Sequence, residues 1–186
     1  GVHNALNASA AVAVCSELGV SAQSMTRGLA SFAGVGRRFA VLGNLDWDGG
    51  SACLVDDYGH HPTELRATIN AAREAYPERR LVMVFQPHRY SRTRDCYDEF
   101  VDVLSTVDGL VLLDVYAAGE EEIAGADSRS LARSIRQAGS VDPILLSDNA
   151  QLAARLHKFL NDGDVLLMQG AGNIGRLSKL LSETTS

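Results

Sequence analysis

Leu81-Val82-Met83-Val84-Phe85-Gln86-Pro87-His88-Arg89-Tyr90-Ser91-Arg92-Thr93 decides how the chain is read. Its first residues form a short, continuously apolar run with β-branched and aromatic members. A run of that length, bounded by Pro87 and a polar loop, reads as a strand buried on both faces. Strands of that kind belong to parallel sheets covered by helices. A second stretch repeats the arrangement. Ser51 to Val55 is strand-like, Asp56-Asp57-Tyr58-Gly59-His60-His61 is polar, and Pro62 opens a helical pattern over 62–76, where a first-turn proline is welcome.

Working outward, apolar runs at 81–86, 109–115, 143–147 and 164–169 alternate with helical patterns at 95–106, 128–138, 149–160 and 174–182. That alternation predicts an α/β, Rossmann-like fold with a mainly parallel sheet and helices on both faces. Phe39–Leu45 and Ser51–Val55, joined by Asp46-Trp47-Asp48-Gly49-Gly50, predict an antiparallel hairpin at its start, because Asp-Gly and Gly-Gly suit tight hairpin turns. Upstream, an alanine-rich helix over 4–18 ends at Gly19, and Ser21 caps a second helix running to about Phe32. Two helices cannot bury a core alone. Residues 1–33 are therefore expected to be the tail of an upstream domain, Gly34-Val35-Gly36 a linker or hinge, and 34–186 the Rossmann-like domain, with a frayed end at 183–186.

Composition narrows the function. With 46% apolar and 22% charged residues, the chain sits among ordinary globular proteins. A net charge of -6 at pH 7 argues against general nucleic-acid binding. No apolar run nears the ~20 residues of a membrane span, and no signal peptide is visible. Cys15, Cys53 and Cys96 have no zinc or disulfide spacing. Reduced thiols in a cytoplasmic protein are the simplest account.

In an open α/β sheet, ligands bind beyond the carboxyl ends of the strands. Both polar runs are expected there. Asp56 and Asp57 end a strand, so their carboxylates are expected to face a ligand such as a ribose, or Asp56 caps the turn. His60 and His61 are adjacent and point apart, which suits separate tasks more than a shared metal; His61 alternatively caps the helix at 62. His88, Arg89 and Arg92 offer planar forks for a carboxylate or phosphate near the start of the helix at 95, or form a solvated basic loop. Arg79 and Arg80 read equally well as solvated charges. Gln169-Gly170-Ala171-Gly172-Asn173-Ile174-Gly175 resembles a dinucleotide fingerprint but follows the last strand, so close packing is the simpler reading. No P-loop, nucleophile elbow or HExxH helix is present.

Seven segments together resemble the carboxyl-terminal part of the Mur ligase family: GVHNALNASAAVAV at 1–14, GVGRRF at 34–39, DDYGHHPTE at 56–64, FQPHRYSRT at 85–93, DVYAAGE at 114–120, GADSRSL at 125–131 and QGAGNIG at 169–175. They keep the family's order and cover nearly the whole chain; HRYSRT and Glu64 favour the alanine-adding member. The resemblance implies an ATP-dependent ligase of peptidoglycan synthesis that joins L-alanine to UDP-N-acetylmuramate through an acyl phosphate, with Mg2+ bridging phosphate oxygens. It implies that 1–33 close a central ATPase domain, and that the P-loop, the metal ligands and the UDP site lie in upstream domains, leaving this chain alone inactive. No metal ligand is expected here. His3, Asn4 and Asn7 match the adenine-facing segment, Arg38 a phosphate-reaching arginine, and Asp57 a ribose-binding acid. Tyr58, Arg89 and Arg92 match substrate-binding positions, Arg92 above all for the alanine carboxylate, and His60 and His88 match catalytic ones. Gly59 is a small departure, where alanine is expected in many relatives. The competing readings are the related ligase that recycles murein tripeptide and a non-catalytic Rossmann-like module that binds a nucleotide or partner.

Overall fold

The computed structural model describes residues 2–32 and 34–183, with side chains from Asn4 onward. The chain divides into two compact units, 1–36 and 37–186. The first holds α1 (Val2–Glu17) and α2 (Ala22–Ala30). Gly19, at φ 75°, ends α1, and the Val20 N–H closes onto the Cys15 carbonyl at 2.9 Å. Ser21 caps α2 by accepting from the Ser24 N–H. No described side chain of α2 is buried, and Leu6, Val14, Leu18 and Leu29 stand exposed, so the pair forms no core of its own.

The second unit is a six-stranded sheet. Its strands are β1 (Ala40–Trp47), β2 (Gly50–Asp57), β3 (Leu81–Phe85), β4 (Gly109–Leu113), β5 (Ile144–Leu146) and β6 (Val165–Gln169), in the order β1-β2-β6-β3-β4-β5. Only the β1–β2 pair is antiparallel. Every residue of β3, β4 and β6 is buried, as continuously apolar runs require. Leu81, Met83 and Phe85 face one core, with Leu65, Phe100 and Leu131 from α3 (Pro62–Ala75), α5 (Tyr97–Leu104) and α6 (Ser128–Ala138). Val82 and Val84 face the other, with Leu156 and Ile174 from α7 (Leu152–Phe159) and α8 (Ile174–Glu183). The helix after β6 thus lies on the opposite face from those after its neighbours β2 and β3. That reversal opens a crevice at the carboxyl end of the sheet.

Three expectations need correction. The hairpin turn is shorter than 46–50: Trp47 pairs with Gly50, leaving Asp48 and Gly49 as a two-residue loop with Gly49 at φ 107°. The helix expected over 95–106 starts earlier and is broken. α4 (Tyr90–Asp95) ends at Cys96, whose φ of -112° and ψ of 26° leave the helical range before α5 begins. The pattern at 149–160 opens with a 3₁₀ turn at Asn149–Gln151 before α7. Of the tail expected at 183–186, residues 184–186 lie outside the described residues.

Candidate active site

The loops after β2, β3, β4 and β6 all leave the sheet at its carboxyl end. The strand before the first, β2, ends in two buried aspartates whose carboxylates are bonded within the protein. Asp56 accepts from Arg37 Nε at 2.8 Å and from Ser178 Oγ at 2.9 Å. Arg37, whose φ is 59°, also donates to the Gly170 carbonyl at 2.7 Å. Asp57 is 5% exposed. Its Oδ2 accepts from the Phe39 N–H at 2.8 Å, and its Oδ1 from the Gly59 N–H at 2.7 Å and Gln169 Nε2 at 3.1 Å. Both oxygens are used in holding this end of the sheet together, with three of the carboxylate's roughly four acceptor sites taken.

Gly59 fits that network for a steric reason. A Cβ there would lie 2.6 Å from Gln169 Nε2 and 2.8 Å from Asp57 Oδ1. Gly59→Ala is expected to cost about 1–3 kcal/mol through overpacking, read as a lowered urea midpoint with unchanged slope.

Beyond Gly59, His61 does cap α3. Its Nδ1 accepts from the Thr63 N–H, while Glu64 Oε2 accepts from the His60 N–H at 2.9 Å and the His61 N–H at 3.1 Å. Burial opposes ionisation of Glu64, but those two N–H groups, with His60 and Arg38 nearby, outweigh it and hold the carboxyl below its ordinary value. A depressed folded value contributes stability above the unfolded value of ~4.3, lost as pH falls through the folded one. Glu64→Ala is therefore expected to lose about 1 kcal/mol near neutral pH, the cost of a helix cap. In denaturation from pH 7 downward, the gap to wild type should close below pH ~4.

Tyr58 stands 39% exposed between two arginines, with Arg37 Cζ 5.2 Å and Arg38 Cζ 5.7 Å from its ring centroid. His60 meets the Tyr58 ring edge-on at 5.5 Å and the His88 ring at 5.6 Å. His60 and His88 are thus neighbours, bringing the two polar runs together. Arg92 Nη1 donates to the His88 carbonyl at 3.0 Å and lies 3.3 Å from His88 Nδ1. Burial, then the charges of His60, Arg92 and Arg89, outweigh Glu120 and push the His88 imidazole below its ordinary value.

Arg89, at φ 73°, turns the chain into α4, so Arg89 and Arg92 flank the start of that short helix and not of one at 95. Arg89 pairs with Glu120 at 3.4 Å, and Glu120 also accepts from Ser91 N at 2.9 Å and Oγ at 2.7 Å. The Ser91 bonds first, then Arg89, hold the Glu120 carboxyl below its ordinary value. Arg89 and Arg92 line a 460 Å³ cleft with His61, Ser91, Asp95 and Cys96. Other arginines lie elsewhere. Arg80 pairs with Asp164 at 2.8 Å and Arg79 binds the Gly163 and Asp164 carbonyls, at the opposite end of the sheet; Arg94 pairs with its neighbour Asp95.

Sequence reasoning assigned no part in the site to Tyr116, Gln86 or Arg37. Tyr116 stacks on His88 at 5.3 Å and 18°, and backbone bonds at Pro87 and Arg89 fix it there. A Cβ on Gly172 would lie 2.4 Å from Gln86 Oε1 and 2.8 Å from Tyr116. Gln86 accepts from the Ile174 N–H at 3.1 Å and donates to Asn173 at 2.7 Å. The glycine run therefore packs against the loops after β3 and β4, as the close-packing reading has it. Tyr116 follows a buried strand, and that position was the available signal.

Asn4 and Asn7 are exposed on α1, three residues apart and so on one face; His3 lies outside the described side chains. Arg38, with 49% of its side chain exposed, lies over the Tyr58 ring and 3.8 Å from Glu64 Oε1. Among the described residues one trio, His61, Cys96 and Glu99, brings possible metal-ligand atoms within 4.8 Å. Because His61 Nδ1 accepts the cap, its neutral ring carries the proton on Nε2, 3.6 Å from the Cys96 sulfur. The ring thus offers a metal no lone pair while the cap is made.

Residues 37–172 match the model of the family described as "Mur ligase, glutamate ligase domain". Among solved structures, the chain is similar to a UDP-N-acetylmuramate-alanine ligase from Thermotoga maritima, with 27% identity and a TM-score of 0.73 over 99% of this chain and 38% of that one. It also shares its fold with a murein peptide ligase from Psychrobacter arcticus, at 21% identity and a TM-score of 0.66 over 98% of this chain and 37% of that one. A folylpolyglutamate synthase/dihydrofolate synthase from Yersinia pestis shares it at 16% identity and a TM-score of 0.59, over 88% and 34%. The chain spans well under half the length of these relatives.

Proposed function

The chain belongs to the Mur ligase family, and on that footing we propose that it is the amino-acid-receiving part of an ATP-dependent ligase that joins L-alanine to UDP-N-acetylmuramate. One observation carries the reading: Arg89 and Arg92 line a single cleft beside the His60–His88 pair. Two guanidiniums on one cleft suit a carboxylate, which accepts paired bonds from planar forks. Arg92 touches both the cleft and His88, so an amino acid held there by its carboxylate has its amine near the histidines.

When bound, ATP with Mg2+ supplies the phosphoryl group that turns the muramoyl carboxylate into an acyl phosphate. The residues of this chain do the rest of what is proposed for it. Arg92, with Arg89 beside it, orients the amino acid. Tyr116 and Arg92 fix the His88 ring. The family resemblance assigns Arg38, beside Tyr58, to the nucleotide phosphates, and Asn4 and Asn7 to its adenine. Residues 1–33 close the ATPase domain, whose phosphate loop and metal ligands the reaction requires. Cytoplasmic residence accords with this supply of ATP, and no described helix is long and apolar enough to cross a membrane.

The test is ADP formation by the whole ligase with UDP-N-acetylmuramate and either L-alanine or the L-alanyl-γ-D-glutamyl-diaminopimelate tripeptide. L-Alanine-dependent turnover is expected. Turnover with the tripeptide alone would assign the chain to the recycling branch, and turnover with neither would leave a nucleotide- or partner-binding module.

A further inference from the structure

We infer that His60 and His88 hold opposite tautomers, and that His60 Nε2 is the base that takes the proton from the incoming ammonium group while His88 presents an N–H. The base role rests on the ligase reading above; the tautomers rest on geometry alone.

His60 Nδ1 lies 3.1 Å from the Tyr58 carbonyl and 3.7 Å from Glu64 Oε2. Both neighbours only accept, so the Nδ1 proton is fixed there and the neutral ring keeps its lone pair on Nε2. His88 is the reverse case. Its Nδ1 faces Arg92 Nη1 at 3.3 Å, and a guanidinium only donates. The lone pair of His88 is therefore on Nδ1 and its proton on Nε2. Two rings 5.6 Å apart thus carry complementary equipment, one an acceptor and the other a donor.

The surroundings oppose a proton on His88. A protonated His60 keeps its Nδ1–H on the Tyr58 carbonyl and places its charge beside Glu64. A protonated His88 would turn an Nδ1–H against Arg92, and Arg89 adds to the opposition, against which Glu120 acts in its favour. Arg38 is drawn to the other oxygen of the same Glu64 carboxylate, at 3.8 Å.

The step balances. One N–H bond of the alanine ammonium breaks and its electron pair stays on nitrogen. The Nε2 lone pair takes the proton and His60 becomes an imidazolium. The freed amine attacks the carbonyl carbon of the acyl phosphate, its second proton goes to the phosphate as the C–O bond to that phosphate breaks, and the proton on His60 passes to water. His88 Nε2–H is a donor for the oxygen on which charge develops.

Long-range proton–nitrogen correlation of the imidazoles in this chain tests the tautomers. A protonated Nδ1 at His60 and a protonated Nε2 at His88 are expected; a protonated Nε2 at neutral His60 would overturn the proposal. In the whole ligase, His60→Ala is expected to lower kcat for L-alanine about 100-fold near neutral pH. That deficit should shrink as pH rises and the free amine becomes abundant. Hydroxylamine is already unprotonated at neutral pH, so hydroxamate formation should survive His60→Ala. An equal, pH-independent deficit with both nucleophiles would sink the base role. A wild-type enzyme that makes neither amide nor hydroxamate would overturn the ligase reading and the base role with it, while the resonances would still report the tautomers.

Discussion

Arg37→Ala is expected to remove about 3 kcal/mol from the stability of the Rossmann-like unit. Asp56 is 3% exposed and keeps only Ser178 once Arg37 is gone, so a carboxylate would be left nearly alone in the interior. Breaking a buried pair in this way costs about 3–5 kcal/mol. The lower end applies because 27% of the Arg37 side chain is exposed and water can partly replace it. The Gly170 carbonyl loses its donor as well, loosening the glycine loop from the first strand pair. Trp47 is the single tryptophan and lies in β1, so its fluorescence in urea reports this unit. Restoring stability by pairing Arg37→Ala with Asp56→Ala would identify the stranded charge as the cause. A single-mutant loss under about 1 kcal/mol would show that the pair is dispensable.

Arg92→Ala is expected to raise KM for the amino acid about 10- to 100-fold in the whole ligase, the equivalent of one charged hydrogen bond at ~1.5–3 kcal/mol. The same substitution has a second effect that simple loss of affinity would not give. Arg92 helps hold the His88 imidazole below its ordinary value, so removing it should move His88 upward, toward ~6.5. The freed Nδ1 should also accept a proton in acid more readily. Titration of the His88 resonances checks this part without any substrate. An unchanged KM together with an unchanged His88 titration would take Arg92 out of the site.

The fold was legible because its three central parallel strands are continuously apolar and end in polar loops, which few other arrangements permit. The break in the helix after His88 was not legible. It depends on a left-handed Arg89 and on Cys96 leaving helical angles, neither of which a side-chain pattern encodes. Histidines and arginines were readable as candidates because Pro87 and the strand before it fix where the loop points. The structural bonding of the aspartates was not legible. A strand-end carboxylate looks ligand-facing until the Phe39, Gly59 and Gln169 donors, distant in the chain, are folded onto it. Tyr116 belongs to the same class: its stacking on His88 exists only after the loops of β3 and β4 are bridged. Gly172 makes sense only beside it, as the space that Gln86 and Tyr116 fill.

Everything proposed for the site turns on the arginine cleft reading an amino-acid carboxylate. The direct measurement is the specificity ratio of the whole ligase for L-alanine over L-alaninamide, which keeps the amine and lacks the charge. Wild type should use L-alanine and largely reject the amide, and Arg92→Ala should collapse that preference. Equal use of both by wild type, or a preference untouched by Arg92→Ala, would contradict it.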